Sequence, residues 1–150
     1  MTLAEMIAAS NAPAVLVRRD LHRYPETAFL EYRTASRIAA YLDHLGFAVR
    51  TGREVMDAEI VIDPPSREQV EDAKRLALAA GGDAAWMERM PDGLTGIVAD
   101  YRFGDGPTVA FRFDMDALPV SETEAEAHQP NAEDYRSRFA GRMHACGHDG

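Results

Sequence analysis

The chain has 150 residues, of which 46% are hydrophobic and 27% charged, and this composition is typical of a globular domain with its own core. Its net charge of −9 argues against a nucleic acid or an anionic membrane as partner, because binding phosphates requires clustered Lys and Arg. The single cysteine excludes a disulfide within the chain, and the N-terminus lacks the basic segment of a signal peptide, so we expect a cytoplasmic protein.

The first third of the chain predicts alternating helix and strand. Residues 3–23 predict a helix that Pro13 could interrupt. Residues 34–45 carry apolar side chains at helical spacing, and Gly46 follows as a natural helix stop. A short strand is predicted for "FAVRTG" at 47–52. The alternation favours an α/β fold.

The stretch from about 53 to 93 predicts a helical insert. "DPPSREQ" opens with a Pro-Pro turn, and Ser66 and Gln69 stand at the two positions of a capping box. A helix is therefore predicted for 67–80, ending at the glycines 81–82, with another turn or two in "DAAWMERM".

Two strands and a loop are predicted next. "GLTGIVADYRF" (93–103) and "TVAFRFDMDAL" (108–118) have strand-like patterns, and "GDGP" between them predicts a hairpin turn. The polar stretch 121–142 predicts an exposed, partly irregular loop.

The last residues place His144, Cys146 and His148 at intervals of two. In an extended segment all three side chains would point the same way, whereas in a helix only the histidines would share a face. Imidazole and thiolate are preferred ligands of zinc-like ions, so the spacing favours a metal site. The alternative is a core cysteine between surface histidines.

A pair of carboxylates, Asp114 and Asp116, lies at the carboxyl end of the second predicted strand. Open α/β sheets bind their ligands at strand ends, and two close carboxylates repel unless a metal or cation lies beside them. The alternative is an Asp-rich turn completed by Pro119. A third polar stretch, "RRDLHRYPETAFLEYRTA", predicts a helix, a proline stop and another helix, with His22 as a surface residue.

Three motifs in this order, "RRDLHRYPE", "FRFDMDALP" and "MHACGHDG", resemble the N-terminal signature of the metal-dependent amidohydrolases of the aminoacylase and carboxypeptidase superfamily. The branch in question includes hippurate hydrolase and the auxin-conjugate hydrolases. Within it, "GREV", the helical insert and "GLTGIVA" are similar to the subgroup formed by the A subunit of p-aminobenzoyl-glutamate hydrolase. The resemblance extends from Leu16 to Gly150.

The resemblance implies a fold and a set of roles. The whole chain would be the N-terminal part of a mixed-sheet, di-metal peptidase-like catalytic domain, without its lid domain. Cys146 and His148 match two ligands of the paired metal site, and Asp116 matches the active-site aspartate beside the metals. Asp114 and His144 would lie around the ligands rather than bind the ions.

The resemblance also implies a reaction. The family hydrolyses an amide bond in a small-molecule substrate, with two divalent ions, manganese or zinc, activating the water. The general-base glutamate and the remaining ligands match no residue of this chain. We therefore expect the chain alone to bind at most one ion weakly and to be inactive. Its expected partner is a further copy in a homo-oligomer or a second hydrolase subunit.

Two other interpretations remain open from the residues. The chain could be a metal-binding or interaction module without catalysis. Alternatively, Cys146 could be a nucleophile or redox thiol activated by His144 or His148, although the Asp114 and Asp116 pair then has no role.

Overall fold

The computed structural model describes residues 1–148, which contain five α-helices and two short β-strands. The backbone contacts divide the chain into two units. One consists of residues 1–25 with the residues from Ala117 onward, and the other of residues 26–116. Within the described range, no helix combines the length and the apolar character needed to cross a membrane.

Helix α1 (Leu3–Arg23) begins at Thr2, which forms a capping box with Glu5. The helix runs through Pro13 without a break, so the predicted interruption is wrong. Proline removes the one hydrogen bond that its N–H would donate to the carbonyl of Ala9. This part of the helix is exposed, and water can solvate that carbonyl instead.

The next two elements follow the sequence prediction. Helix α2 (Tyr32–His44) begins two residues before the predicted range, and strand β1 (Ala48–Thr51) lies within the predicted one. Between them Gly46 has a φ of 87°, a left-handed conformation that glycine adopts without a Cβ penalty. Gly46 thus ends α2 as predicted.

Helices are also present in the stretch from about 53 to 93, as predicted. Helix α3 (Arg67–Ala79) begins at the predicted capping box, in which the Ser66 hydroxyl accepts the Gln69 N–H at 3.2 Å and the Gln69 side chain accepts the Ser66 N–H at 2.8 Å. Helix α4 (Ala84–Glu88) follows in the predicted "DAAWMERM" stretch. The predicted helices of the insert are therefore confirmed, with short 3₁₀ turns before them.

The core of the unit 26–116 lies between α2, α3 and α4. Its buried members are mostly small, which lets the helices approach closely: Tyr32, Ala35, Ala39, Val70, Ala73, Ala77, Met87 and Met90. Val49 of β1 and Ile97 pack against this cluster, so the small sheet covers the helices on one side. The tyrosine hydroxyl of Tyr32 accepts the Gly93 N–H at 2.8 Å, which satisfies the one polar atom in this core side chain.

Strand β2 (Ile97–Asp100) pairs antiparallel with β1, so that Ala48 lies opposite Asp100 and Thr51 opposite Ile97. This two-stranded sheet is the only one in the described residues. The mixture of helices and a small sheet is consistent with the predicted α/β class. The larger di-metal catalytic domain stays a prediction.

The predicted hairpin between 93–103 and 108–118 is wrong. The partner of β2 is β1, and the segment 101–116 forms no strand. Phe111 and Phe113 are 80% and 81% exposed, so no layer formed by residues 1–148 covers their side of the segment. Pro107 has no N–H to donate at the start of the second strand, and a two-stranded hairpin is marginal without a packed face.

The predicted loop 121–142 is mostly irregular, as expected, but it is not exposed throughout. It contains the short helix α5 (Gln129–Ala132) and buries the side chains of Glu122, Pro130 and Tyr135. The polar composition of the loop did not predict this burial. Single residues of a polar stretch can be buried when hydrogen-bond partners for them exist elsewhere in the chain.

Candidate functional site

The predicted metal ligands lie at the end of the described residues. An isolated bridge with backbone hydrogen bonds of 3.0 and 3.1 Å joins Leu118 to Met143, and the ligand segment follows directly. Cys146 is half-buried and His148 is exposed. Residues 146–148 form a bend and turn rather than an extended strand, which brings the His148 N–H to 3.5 Å from Cys146 Sγ. The simple alternation assumed for His144, Cys146 and His148 therefore fails at Gly147, a residue that favours turns.

The carboxylate pair lies at the end of the other unit. Asp114 is half-buried and accepts a hydrogen bond from Arg112 Nη2 at 2.7 Å. Asp116 is also half-buried and lies near the buried Glu31. Burial raises the pKa of Glu31, the negative charge of Asp116 raises it further, and the hydrogen bond from the Thr95 hydroxyl, at 2.6 Å, opposes both. Asp116 and the ligand segment belong to different units, so the role of Asp116 beside the metal ligands stays a prediction.

The donor types fit a transition-metal ion, but the set is incomplete within residues 1–148. Thiolate sulfur and imidazole nitrogen are the ligands that zinc-like ions prefer. Among these residues, no group of three or more His, Cys, Asp or Glu side chains is arranged to hold an ion. Cys146 and His148 therefore remain two candidate donors, and the ligand assignment stays a prediction.

The structure contains a buried cluster that the sequence analysis missed. Glu122 Oε1 lies 2.8 Å from Nε2 of His22 and 2.8 Å from Nε2 of His128. Glu122 Oε2 accepts the backbone N–H of Ser137 at 2.6 Å. The prediction of His22 as a surface residue is wrong, since its side chain is 4% exposed. A buried imidazole needs a polar partner, and Glu122, 100 positions along the chain, provides it.

The hydrogen bonds of this cluster determine the charge of Glu122. Burial alone would raise its pKa, because a low-dielectric site disfavours the anion. The hydrogen bonds from His22, the Ser137 N–H and His128 together outweigh burial and hold the pKa of Glu122 below its usual value. Glu122 is therefore a carboxylate at neutral pH, with a hydrogen-bond donor on each oxygen.

The cluster joins the first and last sequence motifs. The ring of His22 lies 6.4 Å from the ring of His144, with 38° between their planes, and 5.7 Å from the ring of Tyr135 in an edge-on arrangement. His144 precedes the two predicted ligands. His22 of the first motif and His144 of the last are thus neighbours in space. In the sequence, the only indication of the cluster was that histidine and glutamate occur together in a polar stretch. Their occurrence does not show which residues they contact in the folded chain.

Another buried carboxylate, Glu26, caps a helix. Its oxygens accept the backbone N–H groups of Arg33 at 2.9 Å and Thr34 at 2.8 Å, in the first turn of α2. These amides have no acceptor within the helix, so the carboxylate satisfies them. Burial nevertheless dominates and raises the pKa of Glu26 to about 7, although both amide hydrogen bonds lower it.

We expect the stability of the unit 26–116 to fall as the pH rises through about 7. Because the folded-state pKa of Glu26 lies above its unfolded value of 4.5, the folded state binds the proton more tightly. The resulting stabilisation is complete below pH 4.5 and lost as the pH passes 7. It amounts to at most about 3 kcal/mol.

Urea unfolding at a series of pH values measures this slope. The Glu26→Gln variant removes the titrating group and should flatten the curve, while Glu88→Gln, which changes an exposed carboxylate in the same unit, should retain the wild-type slope. Glu31 contributes in the same direction, so a residual slope is expected in Glu26→Gln. Parallel curves for wild type and Glu26→Gln would contradict the prediction.

Comparison with known proteins identifies the relatives of this chain. No protein-family model matches it. It is 43% identical over 134 residues to indole-3-acetyl-aspartic acid hydrolase of Enterobacter agglomerans and 41% identical over 134 residues to the A subunit of p-aminobenzoyl-glutamate hydrolase of Escherichia coli K12. Each alignment covers 89% of this chain and 31% of the relative.

A solved structure gives the same result. The crystal structure of the aminobenzoyl-glutamate utilization protein from Klebsiella pneumoniae matches with a TM-score of 0.75 and 38% identity, over 79% of this chain and 30% of that one. The chain thus spans about a third of the length of the proteins it matches, which is consistent with the predicted N-terminal correspondence. Over 89% of its length the chain is thus homologous to 31% of each of two named hydrolases, indole-3-acetyl-aspartic acid hydrolase and the A subunit of p-aminobenzoyl-glutamate hydrolase.

Proposed function

We propose that this chain forms part of a metal-dependent amidohydrolase that cleaves the amide bond of an N-acyl amino acid, such as p-aminobenzoyl-glutamate. The observation that carries the proposal is the similarity, at 41–43% identity, to two hydrolases whose names both describe an aromatic acyl group joined to an acidic amino acid. An aromatic acyl group on aspartate or glutamate is therefore the favoured substrate class.

The residues of this chain would contribute two donors and one carboxylate to such a site. Cys146, as a thiolate, and the imidazole of His148 would bind a divalent ion, manganese or zinc, and the His148 N–H donates a weak hydrogen bond to the sulfur. A bound ion of this kind supplies Lewis-acid polarisation of the amide carbonyl and lowers the pKa of a water molecule. Asp116 would steady the site beside the ions, and Asp114, which accepts a hydrogen bond from Arg112, would lie around the ligands without binding an ion.

The proposal includes a partner. The name of the Escherichia coli relative describes the A subunit of an enzyme, and this wording implies a second subunit. We infer that the chain acts together with another polypeptide, which is either a second hydrolase subunit or a further copy of the chain in a homo-oligomer. The alternative, a metal-binding or interaction module without catalysis, uses the same Cys146 and His148 donors but requires no substrate.

A chimera tests the function directly. The part of the A subunit of Escherichia coli p-aminobenzoyl-glutamate hydrolase that aligns with this chain is replaced by it, and the product is expressed with that enzyme's second subunit. We expect the chimera to release p-aminobenzoate in the presence of manganese or zinc, and Cys146→Ala to abolish release. Glu126→Gln, an exposed change in the same unit, is the matched control. A folded chimera that binds metal but releases nothing would favour the binding module.

A further inference from the structure

Glu122 lies at the centre of three parts of its unit. His22 belongs to the last turn of α1, His128 is the residue before α5, and Ser137 lies beyond it. One carboxylate therefore holds a helix and two points of the 121–142 loop together. Its side chain is 1% exposed, so water does not compete for these hydrogen bonds.

The base of this loop leads directly into the ligand segment. The bridge between Leu118 and Met143 closes the loop, with hydrogen bonds of 3.0 and 3.1 Å. His144 follows the bridge, and Cys146 and His148 follow His144. A group that holds the loop therefore also holds Met143, the residue from which residues 144–148 start.

His22 provides a second, direct connection. Its Nε2 is held by Glu122, which determines the orientation of the ring. The same ring faces His144 at 6.4 Å and the edge of Tyr135 at 5.7 Å. The other ring nitrogen, Nδ1, is buried and has no hydrogen-bond partner within residues 1–148.

We propose that Glu122 is a positioning residue that fixes the ligand segment 144–148 before any ion binds, through its hydrogen bonds to His22, His128 and Ser137. The inference rests on the proposed function only for the role of Cys146 and His148 as ligands. Removing a residue that orients metal ligands without itself binding the ion typically lowers metal affinity by about 10–100-fold.

The chain offers a matched pair of variants. Glu122→Gln leaves the side chain nearly the same size but replaces one acceptor oxygen with an N–H₂ group, which cannot accept from His22, His128 or Ser137. Glu124→Gln makes the same chemical change two positions away, at a carboxylate that is 85% exposed and 3.2 Å from Arg136. Any effect of the change in net charge would appear in both variants.

Hydrogen exchange of the metal-free 150-residue chain is the first measurement. We expect Glu122→Gln to speed exchange of the Leu118 and Met143 amides by about 10-fold or more, since both amides form the bridge that leads into the segment. Glu124→Gln should exchange like wild type. Equal exchange at these two amides in all three proteins would overturn the proposal, whatever their metal binding.

Cobalt binding is the second measurement, with Co²⁺ alone as the probe. The thiolate-to-cobalt absorbance reports ligation by Cys146, the only cysteine in the chain. We expect the Kd to rise about 10–100-fold in Glu122→Gln and not in Glu124→Gln. His22→Gln keeps an N–H donor near the Nε2 position and should recover most of the affinity that His22→Ala loses. If His22 only stabilised the fold, His22→Gln and His22→Ala would bind Co²⁺ equally well at temperatures where both variants are folded.

The outcomes separate the two proposals. If wild type shows no thiolate–cobalt band, the metal centre of the proposed function fails in this chain, and the amide exchange alone decides the positioning role. If wild type binds and Glu122→Gln binds equally well, the positioning role fails and the proposed function stands. Should Glu122→Gln not fold, His128→Ala replaces it, because His128 is the more exposed partner at 24% and its loss leaves the bond to His22 in place.

Discussion

The purified 150-residue chain should release no measurable p-aminobenzoate from p-aminobenzoyl-glutamate, with or without added Mn²⁺ or Zn²⁺. A catalytic zinc site requires about three protein ligands and a water molecule. Cys146 and His148 supply two, and no three suitable side chains come together within residues 1–148. The general-base glutamate that the resemblance implies matches no residue of this sequence.

The expected deficit is large because two effects combine. A general base contributes about 10²–10⁴-fold in rate, and a second ion contributes further water activation. Chromatographic detection of p-aminobenzoate over several protein concentrations measures the rate, with the active chimera as the positive control. Turnover that depends on metal, rises with protein concentration and disappears in Cys146→Ala would contradict the prediction and indicate a site completed across a homo-oligomer.

A single methyl group at Gly52 should destabilise the unit 26–116 by about 3 kcal/mol or more. Gly52 follows the last residue of β1 and has a φ of 62°, in the left-handed region. A Cβ at this position would lie 2.1 Å from the carbonyl oxygen of Arg89, a backbone atom that cannot move aside as a flexible side chain can. Either β1 or the end of α4 must shift, and both contribute to the core.

Chemical unfolding followed by the fluorescence of Trp86, the only tryptophan, measures this loss in the correct unit. Gly104→Ala is the matched control, because a Cβ there would meet nothing within 4 Å. We expect its effect to stay below about 0.5 kcal/mol, as for most surface substitutions. The idea is refuted if the two alanine variants unfold at the same denaturant concentration.

The sequence determined the local elements of this protein. The Ser66 and Gln69 capping box starts α3, and Gly46 ends α2, because each of these signals acts within a few residues of the chain. The three motifs likewise indicated the hydrolases to which the chain proved similar, since a motif depends on residue identity and not on packing. The two predicted ligands, Cys146 and His148, came from the same kind of local signal and remain to be tested.

The tertiary structure decided which of these elements meet. The strand-like pattern of 108–113 predicted that this segment would pair with β2. Instead β2 pairs with β1, because β1 also packs against the helical core through Val49. The sequence pattern around His22 predicted a surface residue, but His22 is buried. Its burial is possible because Glu122, 100 positions along the chain, forms a hydrogen bond with its ring. Burial of a polar group depends on the free energy of a contact between distant residues, and that contact exists only once the chain has folded.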